Sequence, residues 1–288
     1  MGSAVAARLI EQGFHVGVWN RTPGKADTLV AKGAASAATA AQLAESSDIV
    51  FTLLTDAAAI QSVYLGPTGL LANDVRGKLF VEMSTVDAAT ERALAEKIRA
   101  RGAAMIDSPV GGTVGPAAQG KLYAFIGGDA HDVARARPVL EKMCRRIEHL
   151  GPVGSGAMMK LAANLTTQVW WQSFGEALAL VEPLDIAPER LMDIFLDTSG
   201  ATAALRQRAA DIAAAMGGKE FSPPGFDIDS VRKDMRTMLA EAAARGITLP
   251  VAARVVEVLN QHAHEGHGKR DTSMLPAMWW RRASKSRK

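Results

Sequence analysis

Residues Gly151–Asn164 read G-P-V-G-S-G-A-M-M-K-L-A-A-N, and they divide the chain into two kinds of sequence. Glycines at 151, 154 and 156 make a turn that a helix interior does not tolerate. A helix then starts abruptly and carries Lys160 and Asn164 four residues apart, so both side chains fall on one face, one turn apart. Gln168 extends that stripe by a further turn. Met158, Leu161, Ala162, Leu165 and Val169 make the rest of the helix apolar. Such a stripe is either a solvated face or a lysine with polar helpers at the start of a helix joining two domains. The sequence before it decides between these readings.

Upstream, short apolar runs alternate with helical patterns. Helix Ala4–Gln12, stopped by Gly13, leads to strand Phe14–Trp19. Helices Lys25–Lys32 and Thr39–Ser46 precede strand Asp48–Leu54, helix Ala57–Tyr64 and strand Lys78–Met83. Asp87 caps helix Ala88–Arg101, and strands Ala104–Asp107 and Leu122–Ile126, helix Ala130–Met143 and strand Arg146–Leu150 complete the series. This alternation predicts an α/β fold with a doubly wound parallel sheet. Ligands of such sheets lie beyond the carboxyl ends of the strands, here Leu54-Thr55-Asp56, Ser84-Thr85 and Ser108-Pro109-Val110.

The chain opens on a helix followed by a strand. Within a βαβ unit, Gly2 would be the third glycine of G-x-G-x-x-G and Met1 the residue before it. The first strand and most of the phosphate turn are then missing from this chain, and the expected explanation is a start of translation further upstream. The next strand ends in Asn20-Arg21-Thr22, 18 residues after Gly2, where such folds meet the adenosine ribose. No carboxylate stands there to repel a 2′-phosphate, and Arg21 offers a planar donor fork to bind one. That favours NADP over NAD. Thr22 and Pro23 also read as N-cap and first residue of the following helix. Glycines at 111, 112, 115 and 120 punctuate Ser108–Lys121. This segment is either a carboxylate-binding loop using main-chain donors and Thr113, or a glycine-rich hairpin.

Beyond Lys160 the pattern is all-helical: Leu161–Pro183, Pro188–Asp197, Ala203–Met216, Val231–Ala244 and Pro250–Glu265. The division is residues 1–152, 153–280 and a basic solvated tail 281–288. A Lys233-Asp234 pair within a helix ordinarily faces solvent. His262-Ala-His264-Glu-Gly-His267 reads as a solvated helix end rather than a metal site, because no further ligand set accompanies it. Trp279-Trp280 are expected to anchor the C-terminus. The long helix suggests a homodimer or homotetramer through the helical domain. A hydrophobic content of 48% with 22% charged residues suits a globular enzyme, and a net charge of +3 is too small to argue for nucleic acid. The lone Cys144 provides no disulfide framework, which fits a reducing cytoplasm, and no apolar run is long enough to span a membrane.

These pieces, in this order, resemble the β-hydroxyacid dehydrogenase family, whose members include 3-hydroxyisobutyrate dehydrogenase and glyoxylate/succinic semialdehyde reductase. Met1-Gly2 looks like the end of the family's G-x-G-x-M-G, and Asn20-Arg21-Thr22 like its NADP-preferring version. Glu82–Thr85 resembles the strand-end S-T pair, Asp107–Ala117 the substrate loop D-x-P-V-S-G-G-x-x-G-A, and Lys233-Asp234 the K-D pair near the cofactor. Gly151–Asn164 resembles G-x-x-G-x-G-x-x-x-K-x-x-x-N. The resemblance implies a Rossmann-type domain followed by a helical domain, and hydride transfer between NADP(H) and a small carboxylate-bearing hydroxy acid or its semialdehyde. It implies Lys160 as general acid and base with Asn164 beside it. Met1, Gly2, Asn20, Arg21, Thr22, Leu54, Thr55, Thr85 and Lys233 would meet the cofactor. Ser84, Gly111, Gly112, Thr113, Lys160, Asn164 and Gln168 would meet the substrate. Gly111 departs from the pattern, standing where many relatives have serine, and Thr113 displaces a nearby glycine. An ordinary lysine, with a pKa of about 10.4, is a ready proton donor at neutral pH and a poor base. Reduction is therefore expected to be favoured at neutral pH and oxidation at alkaline pH. Alternatives are an imine reductase on the same fold, a class that generally lacks this lysine, and a non-catalytic cofactor-binding or interaction protein.

Overall fold

The computed structural model describes residues 1–221 and 224–285. The chain forms two compact units that divide between Leu161 and Ala162. In the first, α1 (Gly2–Glu11), β1 (Gly17–Val18), α2 (Asp27–Val30), β2 (Ala35–Ser36) and α3 (Ala40–Glu45) come first. Next are β3 (Ile49–Thr52), α4 (Ala57–Leu65), β4 (Leu79–Glu82), α5 (Ala88–Arg99) and β5 (Ala104–Asp107). Then follow β6 (Val110–Gly111), α6 (Val114–Ala118), β7 (Leu122–Ile126), α7 (Ala130–Met143) and β8 (Cys144–His149). Helix α8 (Ser155–Val181) begins in this unit.

The helix starts have local causes. Thr39, Asp56 and Asp87 accept hydrogen bonds from the amides of Gln42, Ala59 and Thr90, which caps α3, α4 and α5. Thr22 does not cap, contrary to the sequence reading. Helix α2 starts only at Asp27, behind an Ala26 that has no capping side chain. Instead Asn20 Oδ1 accepts the Thr22 N–H at 2.9 Å, an Asx-type turn that competes with helix initiation.

Three ladders result. β1 pairs parallel with β2, and β3, β4 and β5 form a parallel sheet in that order. β6 runs antiparallel to β7, and β7 parallel to β8. An antiparallel bridge between Asp107 and Gly127 joins the end of β5 to the residue after β7. β1 and β3 each stand at the edge of a ladder. The glycine-rich segment after β5 contains β6 and α6, and β6 turns back antiparallel on β7, as a hairpin with a short helix in its connection.

Every residue of β4 is buried, and the period of two distributes them. Leu79 and Val81 join one core with Ile106, Leu122, Ile126 and Leu140. Phe80 joins the other with Ile60, Tyr64, Leu70 and Ile98. This strand therefore lies between two helical layers, and its C-terminal end is held from both sides.

The second unit contains the remainder of α8, then α9 (Pro188–Leu196), α10 (Ala203–Met216), α11 (Ile228–Ala243), α12 (Pro250–His262) and α13 (Leu275–Lys285). Trp170 stacks on Phe174 at 4.8 Å, and Phe174 meets Phe195 edge-on at 5.1 Å. Trp279 lies so close to α8 that a Cβ on Gly175 would stand 2.4 Å from its ring. Arg281–Lys285 are not a solvated tail, because α13 continues through them. Arg282 pairs with Glu265 at 2.7 Å and Arg281 faces Glu220 at 3.6 Å. Residues 286–288 of the expected tail, and 222–223 of the connector before α11, lie outside the described residues. Among the described residues no helix is long and apolar enough to cross a membrane.

Candidate active site

The parallel strands β3, β4 and β5 end on one edge of the sheet, which places Leu54-Thr55, Ser84-Thr85 and Ser108 there. Hydrogen bonds tie these ends together. The Leu54 N–H donates to Ser84 Oγ at 2.7 Å, and the Ser84 N–H donates to Glu82 Oε1 at 2.7 Å. The Thr52 hydroxyl donates to the other Glu82 oxygen and lies 2.7 Å from the Tyr64 hydroxyl. Glu82 thus fixes the backbone leading to Ser84 and Thr85. The Thr55 hydroxyl is turned towards Asp56, 3.2 Å away. Ser108 Oγ is buried without a hydrogen-bond partner among the described residues.

Around Glu82 lies a buried acidic group that sequence reasoning passed over. Glu82, Glu91 and Asp107 are all fully buried. Burial raises the Glu82 carboxyl above its ordinary value, against hydrogen bonds from Ser84 and Thr52 that pull it back. Burial, then Glu82, pushes Tyr64 well above its usual range. Glu91 is raised strongly by burial and then by Glu82, Asp107 and Asp87, and neither of its carboxyl oxygens has a hydrogen-bond partner among the described residues. A glutamate inside L-F-V-E-M, and one on the apolar face of α5, were the available signals.

Glu91 has a consequence for stability. Its folded pKa lies above its unfolded value, so the folded state binds the extra proton and stability is lost as pH rises from the unfolded value through the folded one. Glu91→Met removes both the orphaned oxygens and the titration. It is expected to stabilise the chain by about 1–3 kcal/mol. The gap in thermal midpoint from wild type should widen between pH 5 and pH 8. Melting curves across that range test this, and a gap that is negative or independent of pH would refute it.

Lys160 sits in the second turn of α8 and is only 9% exposed, and Gln168 on the same face is 7% exposed. Asn164, between them, is half-buried. The stripe is therefore not a solvated face. Gln168 Oε1 is buried without a hydrogen-bond partner among the described residues, an acceptor that a bound donor would satisfy. Asp107 ties the start of α8 to the end of β5, through 2.7 and 2.8 Å hydrogen bonds from the Gly154 and Ala157 amides. Lys160 thus belongs to the first unit with the strand ends, whereas Asn164, Gln168 and Lys233 belong to the second.

The remaining expected residues are placed as follows. Met1 precedes α1, and its carbonyl accepts the Ala4 and Val5 amides. Gly2 is the first residue of that helix. Asn20, Arg21 and Thr22 follow β1 and are exposed, with no carboxylate among them. Gly111 pairs with Tyr123 in the β6–β7 ladder, while Gly112 and Thr113 are exposed, and Thr113 makes no side-chain cap to α6. Lys233 reaches Asp234 at 2.6 Å, and Asp234 is buried rather than solvated. His262 is likewise buried, not part of a solvated helix end, and burial followed by Arg282 lowers its pKa. Among the described residues, no cluster of three or more His, Cys, Asp or Glu side chains is placed to hold a metal ion.

A parallel sheet with polar strand ends and a helix start fastened beside them is the architecture of a dinucleotide-binding α/β domain, whose ligands lie beyond the carboxyl ends of the strands. Residues 1–151 match the NAD binding domain of 6-phosphogluconate dehydrogenase. Residues 154–279 match the NAD-binding domain of NADP-dependent 3-hydroxyisobutyrate dehydrogenase. The chain belongs to the β-hydroxyacid dehydrogenase family. It is 32% identical to glyoxylate/succinic semialdehyde reductase 1 of Arabidopsis thaliana, over 96% of this chain and 93% of that one. It is 34% identical to a 3-hydroxyisobutyrate dehydrogenase of Pseudomonas aeruginosa, over 92% of each. Among solved structures, a 3-hydroxyisobutyrate dehydrogenase of Mycobacterium tuberculosis, determined with L-serine, superimposes with a TM-score of 0.83 at 26% identity, over 96% of this chain and 95% of that one. The protein is an NAD(P)-dependent dehydrogenase or reductase that acts on a CH–OH group or the carbonyl it becomes.

Proposed function

We propose that this enzyme prefers NADP(H) and interconverts a small β-hydroxy acid, or a related hydroxy acid, and its semialdehyde or oxo acid, with Lys160 as general acid and base. The observation that carries the reading is Lys160 itself, a lysine held 9% exposed one turn beyond the point where α8 is fastened to the sheet. Burying an ammonium is costly, and such a lysine is a functional candidate.

A nicotinamide cofactor held here would supply or take the hydride at the substrate carbon. In reduction Lys160 gives a proton to the carbonyl oxygen as the hydride arrives, and in oxidation it takes the hydroxyl proton back. Asn164 orients the reacting oxygen or the lysine. Ser84, Gly111, Gly112, Thr113 and Gln168 hold the substrate, the carboxylate lying against main-chain donors of the glycine segment. Met1, Gly2, Leu54, Thr55, Thr85 and Lys233 would hold the cofactor, and Asn20, Arg21 and Thr22 would receive its 2′-phosphate. A homodimer or homotetramer through the helical domain, in the cytoplasm, belongs to the same proposal. The exposed apolar side chains Leu180, Leu184 and Val251 of that domain, at 80%, 64% and 60% exposure, support self-association.

The test is a fluorescence titration with NADPH and NADH, followed by turnover assays with a panel of small semialdehydes and 2-oxo acids. NADPH is expected to bind more tightly, and at least one carboxylate-bearing aldehyde or oxo acid to be reduced. Tighter NADH binding would reverse the cofactor assignment. Binding without turnover across the panel would favour a non-catalytic relative.

A further inference from the structure

Asp107 ends β5 with its side chain fully buried. Its Oδ1 accepts the Gly154 N–H at 2.7 Å and its Oδ2 the Ala157 N–H at 2.8 Å. These amides lie at the start of α8, where a helix has no internal acceptors and favours a negative charge. The backbone is shaped to admit this carboxylate. A Cβ on Gly127 would stand 2.3 Å from Oδ1, and one on Gly156 would stand 2.8 Å from Oδ2 and 2.2 Å from the Phe125 carbonyl oxygen. Gly154 adopts a φ of 95°, which a side chain disfavours. The G-S-G of the linker is thus accounted for by a carboxylate of the chain itself.

We infer that Asp107 is a positioning residue for Lys160: by holding the Gly154 and Ala157 amides it fixes the first turn of α8 to the end of β5, and so sets where the next turn presents the lysine. Lys160 lies three residues beyond Ala157 and four beyond Gly156, on the turn that follows the anchored one. The inference rests on the reading of Lys160 as the proton donor.

The energetics point away from a purely structural anchor. Burial pushes the Asp107 carboxyl up to about 6, against the Gly154 and Ala157 amides that pull it down. Its folded pKa therefore exceeds the ordinary value of about 3.9, so ionised Asp107 weighs against folding above pH 6 and that burden lifts as pH falls. The charge is retained at a cost to stability. Around it stand Glu82, in register on β4, and Glu91 and Arg92 on α5, the latter bordering Gly154, while β7 approaches through the Gly127 backbone. On α8 itself the first charged residue along the chain is Lys160.

The experiment measures kcat for reduction, the Kd for NADPH and the thermal midpoint from pH 5 to 9, for wild type, Asp107→Asn, Glu91→Met and Lys160→Ala. In wild type kcat should fall below pH 6, where the hydroxyl oxygen of the protonated carboxyl accepts its amide only weakly, while the Kd for NADPH stays constant. Asp107→Asn should lower kcat at least about tenfold at pH 7.5 and abolish that acid limb, because its amide nitrogen faces an N–H that needs an acceptor. Its NADPH affinity should stay near wild type, and its thermal midpoint should shift little, because the lost acceptor is offset by removal of the buried charge. Glu91→Met should keep the limb. A flat wild-type profile overturns the inference without any variant, even if Asp107→Asn fails to fold. A limb that persists in Asp107→Asn also overturns it, as does a parallel loss of kcat, affinity and midpoint. Full activity in Lys160→Ala overturns both this inference and the proton-donor reading, whereas an inactive Lys160→Ala beside a fully active Asp107→Asn overturns this one alone.

Discussion

Lys160→Ala is expected to lower kcat for carbonyl reduction by about 10²–10⁴-fold, the usual contribution of a positioned general acid. The cofactor Kd should change little, because an interaction made only in the transition state appears in kcat and kcat/KM together. Lys160 is nearly enclosed, so bulk water is poorly placed to substitute as proton donor. Lys160→Arg keeps the charge but should remain slow, since a guanidinium, far more basic than an ammonium, holds its proton too tightly. Wild-type oxidation should gain rate towards alkaline pH as the lysine becomes able to accept a proton. Steady-state kinetics with NADPH as titrated co-substrate check these points. A Lys160→Ala variant with unchanged kcat, or wild-type oxidation that is flat from neutral to alkaline pH, would remove the lysine from the chemistry.

Arg21→Ala is expected to weaken NADPH binding by roughly 10–100-fold and NADH binding hardly at all. A hydrogen bond to a charged group contributes about 1.5–3 kcal/mol, and 1.4 kcal/mol is a factor of ten. Arg21 is exposed, so the lower part of that range applies and the effect should shrink with added salt. Asn20→Asp should act through the opposite charge, repelling a 2′-phosphate while offering an acceptor to a 2′-hydroxyl. Fluorescence titrations of both cofactors at low and high salt decide the matter. An equal loss of NADPH and NADH affinity in Arg21→Ala would mean that Arg21 supports the turn rather than reads the phosphate.

Several site features were legible because they are local. Asp87 was readable as a cap because capping spans three residues, and the structure places its carboxylate on the Thr90 amide. Lys160 and Asn164 share a face because the helical repeat alone dictates it. Thr22 shows the limit of such reading. Two local motifs competed for it, and the Asn20 side chain won by holding the Thr22 amide and delaying the helix to Asp27. The tail beyond Trp280 read as solvated because its charges are dense. It continues as helix, with the Arg282 guanidinium on Glu265 of the segment after α12, a partner 17 residues away.

What the sequence determined by itself is the fold class, the two kinds of domain and the lysine-bearing helix, because periodicity and turn chemistry act within one or two turns of chain. The tertiary structure decided the setting of that lysine. Glu82 and Asp107 are 25 residues apart and meet because β4 and β5 pair in parallel register. Glu91 joins them because α5 packs its buried face, which includes Glu91 itself, against that sheet. Asp107 reaches Gly154 and Ala157 across 47 and 50 residues. Burial and charge coupling arise only when such distant segments are packed, and they turn ordinary carboxyls into raised, water-excluded groups.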